Sequence, residues 1–158
     1  MDIQSIALQA AALRRNGDFT QAEALLQAAL EQHPQSGELH YQMAWTMDVQ
    51  GREQEAVSWY EDALRLRLEG EHLQGAYLGL GSTYKNVGRI QDSLETFRRA
   101  IRAFPENPAL RVFLSLTLAA DGRGMEACKE AMQVLLDFPD NGQVQQYRSA
   151  IEEHLRAL

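Results

Sequence analysis

The sequence predicts an all-α protein, an α-α superhelix of antiparallel helix pairs, and two observations carry that prediction. The first is a repeat: Gly17, Gly51, Gly88 and Gly122 stand 34, 37 and 34 residues apart. Each is followed five residues later by a small residue (Ala22, Ala56, Ser93, Ala127) and seven beyond that by Ala29, Ala63, Ala100 or Val134. The second is periodicity, since apolar residues between these markers recur at helical spacing, as in Leu25, Leu26, Ala29 and Leu30. Composition agrees with a folded chain: at 158 residues, 45% hydrophobic and 23% charged, neither disorder nor a collagen-like fibre is plausible. The length suits about one domain, spanning 1–158, that buries roughly 70% of its unfolded surface.

The elements follow in order. A first unit, residues 3–36, turns at Gly17-Asp18 and stops at Pro34. The second, 37–73, carries His40, Met43-Ala44 and Met47 in its first helix, then Ala56, Tyr60 and Ala63 after the Gly51 turn; Leu68 stands where the others have proline. No proline stops its second helix, so that helix is expected to run about a turn longer, or the following loop to be longer. The third unit, 74–107, ends at Pro105, and the fourth, 108–141, has Leu110, Phe113, Leu114, Thr117 and Leu118 before Gly122 and ends at Pro139. A final segment, 142–158, puts Val144, Tyr147, Ile151 and Leu155 on one face, as a capping helix does. About nine helices result. The glycines fall where a chain leaving a helix needs positive φ, and the small residues let two antiparallel helices approach closely.

These residues resemble the tetratricopeptide repeat, a helix-turn-helix of 34 residues with a W-x2-L-G-x2-Y…A-x3-F…P signature. The third unit fits best, with Tyr77, Leu80-Gly81, Tyr84, Gly88, Phe97, Ala100 and Pro105 on the pattern and Ser93 in place of alanine. The first and fourth units have weaker first helices, as terminal repeats do. The resemblance implies an open solenoid whose concave side, lined by first helices, holds a peptide or helix of another protein. The groove would be lined by Tyr41, Gln42, Trp45 and Asp48, then Leu78, Ser82, Lys85 and Asn86, then Val112, Phe113 and Leu116, with Ala7, Leu8, Ala11 and Arg14 contributed by the first unit. Tyr41 and Trp45, one turn apart, present adjoining aromatic faces, and contiguous apolar patches with Trp and Tyr anchors generally mark interaction sites. Three outcomes stay open for this patch: a recognition groove, ordinary inter-repeat core, or a surface hidden by the last helix or by a second copy.

One specialisation is disfavoured. Tetratricopeptide domains that grip the C-terminal carboxylate of heat-shock chaperones resemble one another in a clamp of lysine, two asparagines, lysine and arginine. The two frames of this sequence put Ala7, Ala11, Gln42, Gly75 and Gly79, or Tyr41, Trp45, Gly79, Ala109 and Phe113, at those positions. Neither supplies a cation for a free carboxylate.

Other chemistry has little support. The net charge of −7 opposes a nucleic-acid partner. It is uneven, −5 over residues 37–73 and +2 over 74–107. No apolar run approaches the roughly 18 residues of a membrane span, and the acidic Met1-Asp2 start is unlike a signal peptide, so a cytoplasmic setting is expected. His33, His40, His72 and His154 have no metal-ligand spacing, Leu78-Gly79-Leu80-Gly81-Ser82 lacks the strand and GK[ST] ending of a phosphate loop, and the single Cys128 reads as an inert buried thiol. No catalytic residue, metal or cofactor is therefore expected. The sequence reading is a non-catalytic interaction scaffold for an apolar or amphipathic segment. The alternatives are a structural homodimer using the groove or C-terminal helix, and a chaperone of the bacterial secretion type.

Overall fold

The computed structural model describes residues 2–138, 142–147, 149, 150 and 153. Among them are eight helices of 12–17 residues: α1 (Ile3–Asn16), α2 (Phe19–Gln32), α3 (Gly37–Asp48), α4 (Glu53–Arg65), α5 (Gly70–Asn86), α6 (Ile90–Ala103), α7 (Pro108–Ala120) and α8 (Gly124–Asp137), then a five-residue α9 (Gly142–Gln146). No strand occurs among the described residues. The capping helix expected over 142–158 lies largely outside them, apart from α9 and its neighbours. None of the described helices is long and apolar enough to cross a membrane.

Each repeat turns by the same backbone device. Gly17, Gly51, Gly88 and Gly122 adopt φ between 72° and 82°. The residue after each donates its N–H back across the turn, Asp18 to Leu13 O at 2.9 Å and Arg89 to Tyr84 O at 2.8 Å, closing the orphan carbonyls of the first helix. Second helices then begin without a side-chain cap. In three of the four an arginine at the N-cap instead pairs with an acid three residues on, Arg52 with Glu55, Arg89 with Asp92 and Arg123 with Glu126. At the other end His33, Phe104 and Phe138, each followed by proline in the sequence, leave the helix at φ near −135°.

The proline-free second unit behaves differently from both expectations. Helix α4 has 13 residues against 14 in α2 and α6, and is not extended. The connection after it, residues 66–69, is as long as those after α2 and α6. The three additional residues lengthen α5 to 17 residues, where the other first helices have 12 to 14. Lacking a proline to bend the chain, the connection uses Arg67 at φ 57° and buries Leu68 at 6% exposure.

The chain divides into two compact units, residues 1–83 and 84–158. In the first, α3 packs on α4, and α1 packs on both α2 and α3. Its core holds Ala10, Ala22, Leu26, Leu39, Met43, Ala44, Tyr60 and Ala63. In the second, α7 packs between α6 and α8, around Leu94, Phe97, Leu110, Phe113 and Val134. Ala22, Ala56 and Ser93 are fully buried, as close helix approach requires. Cys128 is a correction: it is exposed, because its face of α8 also carries Met125, Met132 and Leu135 at 85%, 60% and 68% exposure.

Candidate functional site

The site is built on α3. Ser36 caps it, its Oγ accepting from Leu39 N–H at 3.3 Å, so the helix starts at a fixed point and projects Tyr41, Gln42, Trp45 and Asp48 from neighbouring turns. Two of these are interior: Tyr41 is 7% and Gln42 4% exposed. Trp45, at 40% exposure, is the large aromatic surface that remains open. Tyr41 and Trp45 rings lie 5.8 Å apart, tilted by 33°, so the adjoining aromatic pair expected from the sequence is present.

Why Tyr41 sinks is legible in α5. A Cβ on Gly75 would collide with the Tyr41 hydroxyl, and one on Gly79 would meet Tyr60 Cζ and Oη at 2.5 Å. The two glycines, a helical turn apart, thus seat two tyrosine rings.

Arg14, expected from the sequence as a groove residue of the first unit, enters from α1. Its guanidinium stands 4.0 Å from the Trp45 ring centroid, a cation–π geometry. It donates to Thr46 Oγ1 at 3.2 Å, to Gln42 Oε1 at 3.1 Å and to Gln42 O at 3.5 Å. The side chain is 8% exposed, and no carboxylate pairs with it among the described residues. Burial lowers its pKa, yet a guanidinium keeps its charge.

Asp48 is the opposite case, a half-buried carboxylate with no cation beside it among the described residues. Tyr60 Oη donates to Oδ2 at 3.3 Å. Thr83 Oγ1 lies 3.3 Å from Oδ1, but it makes a shorter contact of 2.8 Å to Gly79 O, and one hydroxyl has one hydrogen to give. Desolvation therefore pushes the carboxyl up to about 6, against the opposing hydrogen bonds and with a smaller push from Glu53. Tyr60, fully enclosed and facing this charge, is held well above the usual phenol range and stays a donor.

Buried threonines recur at this level of three first helices: Thr46, Thr83 and Thr117 each donate to the carbonyl four residues back, at 2.7, 2.8 and 3.1 Å. They stand five residues before Gly51, Gly88 and Gly122. That regular spacing is the signal that would have marked them in the sequence.

The other expected site residues divide. Leu78 and Ser82, on the part of α5 in the first unit, are partly exposed. The Ser82 hydroxyl itself is covered and finds no hydrogen-bond partner among the described residues. In the second unit Lys85 and Val112 are partly exposed and Asn86 is exposed; burial lowers the Lys85 pKa. Phe113 and Leu116 are interior, at 3% and 6% exposure. Phe113 packs against Phe97 at 6.3 Å and takes the edge of Tyr147, just after α9, at 6.1 Å. They are core, not recognition surface. Among the described residues no group of three or more His, Cys, Asp or Glu could hold a metal ion.

Comparison with known proteins gives two family models, both described as tetratricopeptide repeat, matching residues 37–158 and 2–69. The human protein O-mannosyl-transferase TMTC1 is 32% identical over 114 residues, which is 68% of this chain and 12% of that protein. The type VI secretion system accessory component TagJ of Pseudomonas aeruginosa is 32% identical over 84 residues, 52% of this chain and 30% of that protein. The chain thus spans less than a third of either relative. Among solved structures, YrrB, a tetratricopeptide repeat protein with an unusual peptide-binding site, matches 97% of this chain and 79% of its own at TM-score 0.73 and 21% identity. Kinesin-light-chain-like repeats from Podosopora anserina match 99% and 94% at TM-score 0.75 and 18% identity.

Proposed function

The chain belongs to the tetratricopeptide repeat family, and from that premise we propose that it is a non-catalytic interaction module, binding an apolar or amphipathic segment of another protein on the first-helix face around Trp45. One observation carries the reading: Trp45 is a large aromatic side chain left 40% exposed on a helix whose other aromatic, Tyr41, is buried. Aromatic side chains on such a surface are frequent anchors. The family is one of protein-binding scaffolds, and the transferase activity in the name of TMTC1 belongs to a protein of which this chain matches 12%. Likeness to TagJ, an accessory component of a type VI secretion system, supports a narrower version, an accessory role at a secretion machine; a client chaperone in a cytoplasmic setting is the form of it that we propose.

The test is to select peptides from a random display library on the immobilised protein and titrate them by calorimetry. Trp45→Ala is expected to weaken binding by at least about 2 kcal/mol, as hot-spot truncations do, with circular dichroism unchanged. Equal affinity for the variant would remove Trp45 from the site.

A second reading, a homodimer, rests on another surface than the groove. Met125, Cys128, Met132 and Leu135 share a face of α8, and three of the four stand at 60% exposure or more. Self-association there would hide the stripe. Light scattering over a concentration series is expected to give twice 17.8 kDa for the native chain and the monomer mass for Leu135→Glu; a native monomer at every concentration discards it.

A further inference from the structure

We infer that the α3 face of the first unit accepts a cationic side chain, lysine or arginine, from a partner peptide, with its head on the Asp48 carboxylate and its aliphatic stem along the exposed part of Trp45. This deepens the peptide-binding reading and rests on it. Three observations converge. Residues 1–83 contain 12 acidic and five basic residues, whereas 84–158 contain ten of each, so the whole net charge of −7 resides in the first unit. A field of that sign attracts a basic segment and repels an acidic one. Within that unit, Arg52 is held by Glu23 and Glu55, Arg65 by Asp62, and Arg14 by Gln42, Thr46 and the Trp45 ring. No cation of the chain pairs with Asp48 among the described residues.

The third observation is energetic. Pairing a carboxylate with a ligand cation usually loses part of its gain to desolvation. Here the fold has already displaced part of the water around Asp48, as its half-buried position beside Tyr60 and Thr83 attests. The penalty sits in the free protein, so an arriving cation recovers more of the attraction, which is the logic of preorganisation. Trp45 adds a platform of demonstrated kind, since Arg14 already stacks its guanidinium on that ring at 4.0 Å. Arg14 is a poor receptor for an acidic ligand in its place: it is 8% exposed and its donors are engaged inside the helix pair.

The experiment uses the full chain, labelled with 15N, and three short amphipathic peptides of one length: leucine with lysine, leucine with glutamate, and leucine with glutamine. The reporter is the indole N–H signal of Trp45, identified with a Trp59→Phe variant. The lysine peptide is expected to bind about tenfold or more tighter than the glutamate peptide. Asp48→Asn should remove about that factor for lysine and leave the glutamine peptide unchanged, while the exposed Glu31→Gln leaves all three unchanged within about twofold. Equal binding of the lysine and glutamate peptides, tighter glutamate binding, or indifference of the lysine peptide to Asp48→Asn overturns the inference while the glutamine peptide still reports a groove. If no peptide moves the Trp45 signal, the peptide-binding reading itself fails and the inference goes with it.

Discussion

Helices α3 and α7 are the first helices of their repeats, each with a buried threonine five residues before the turn glycine, yet they finish their chemistry differently. The charge on α7, Arg111, is clamped by Glu130 at 2.6 Å and Asp137 at 2.7 Å on α8, and its aromatic, Phe113, is covered by Tyr147. On α3 the aromatic Trp45 stays open, and among the described residues Asp48 finds no cation and Arg14, which leans on α3, finds no acid. A repeat that closes its own polar and apolar accounts is scaffold. One that leaves them open has surface to offer a partner.

The largest effect separates the two helices by stability. Phe113→Ala removes an enclosed ring and is expected to lose about 3–4 kcal/mol in urea denaturation. Trp45→Ala gives up a partly exposed ring and one cation–π contact, and should lose only about 1 kcal/mol. Similar losses for both would mean that Trp45 is core after all and would erase the contrast on which the binding site stands.

Much of this was legible from residue spacing, and the part that was not has a physical reason. The four turn glycines, the small residues at 22, 56, 93 and 127, and the family resemblance needed only periodicity, because backbone sterics decide them. Where a given first-helix residue points within its stripe depends on what lies opposite. Tyr41 was expected on the surface and is buried because Gly75, on a helix 34 residues on, leaves room for its ring. Phe113 is buried because a ring from beyond α8 covers it. Cys128 is exposed despite its apolar neighbours in sequence, since Met125, Met132 and Leu135 share its uncovered face. Arg14 was seen as a groove residue but not as the cation on Trp45, because a contact between α1 and α3 has no local signature.

A smaller effect concerns Asp48 and has a definite sign. Its folded-state carboxyl is raised to about 6 from the ordinary 3.8, so the fold disfavours the charged form. That unfavourable contribution is fully present above the folded value, is relieved as pH falls through about 6, and is gone below the unfolded value. Asp48→Asn, whose amide can accept from Tyr60 and donate to Thr83, should therefore stabilise the protein by about 1–2 kcal/mol at about pH 8. The gain should shrink toward zero by about pH 4 in parallel melts of the two proteins. A gain independent of pH would mean that the amide packs better for reasons unrelated to charge. Destabilisation at high pH would reveal an unseen cation partner for Asp48. Combined with weaker binding of the lysine peptide, the expected result would make Asp48 a residue that costs stability and supports recognition.

The smallest effect compares two serines. Ser93, fully buried in the second unit, has its Oγ 3.0 Å from Thr117 Oγ1, whereas the covered hydroxyl of Ser82 in the first unit has no partner among the described residues. Ser93→Ala should lose about 1 kcal/mol, since it removes the hydrogen bond between two buried hydroxyls while Thr117 keeps its bond to the Phe113 carbonyl. Ser82→Ala removes a polar atom that was already unsatisfied and installs the better helix former, so it should be neutral or stabilising by about 0.5 kcal/mol. Thermal melts of the two variants side by side read the difference. Equal destabilisation would mean that Ser82 has a hydrogen-bond partner in solution and that this part of α5 is satisfied internally, like α7. Opposite signs would extend the unfinished surface of the first unit from α3 onto α5, and would make Ser82→Ala a stable background in which to remeasure the lysine peptide.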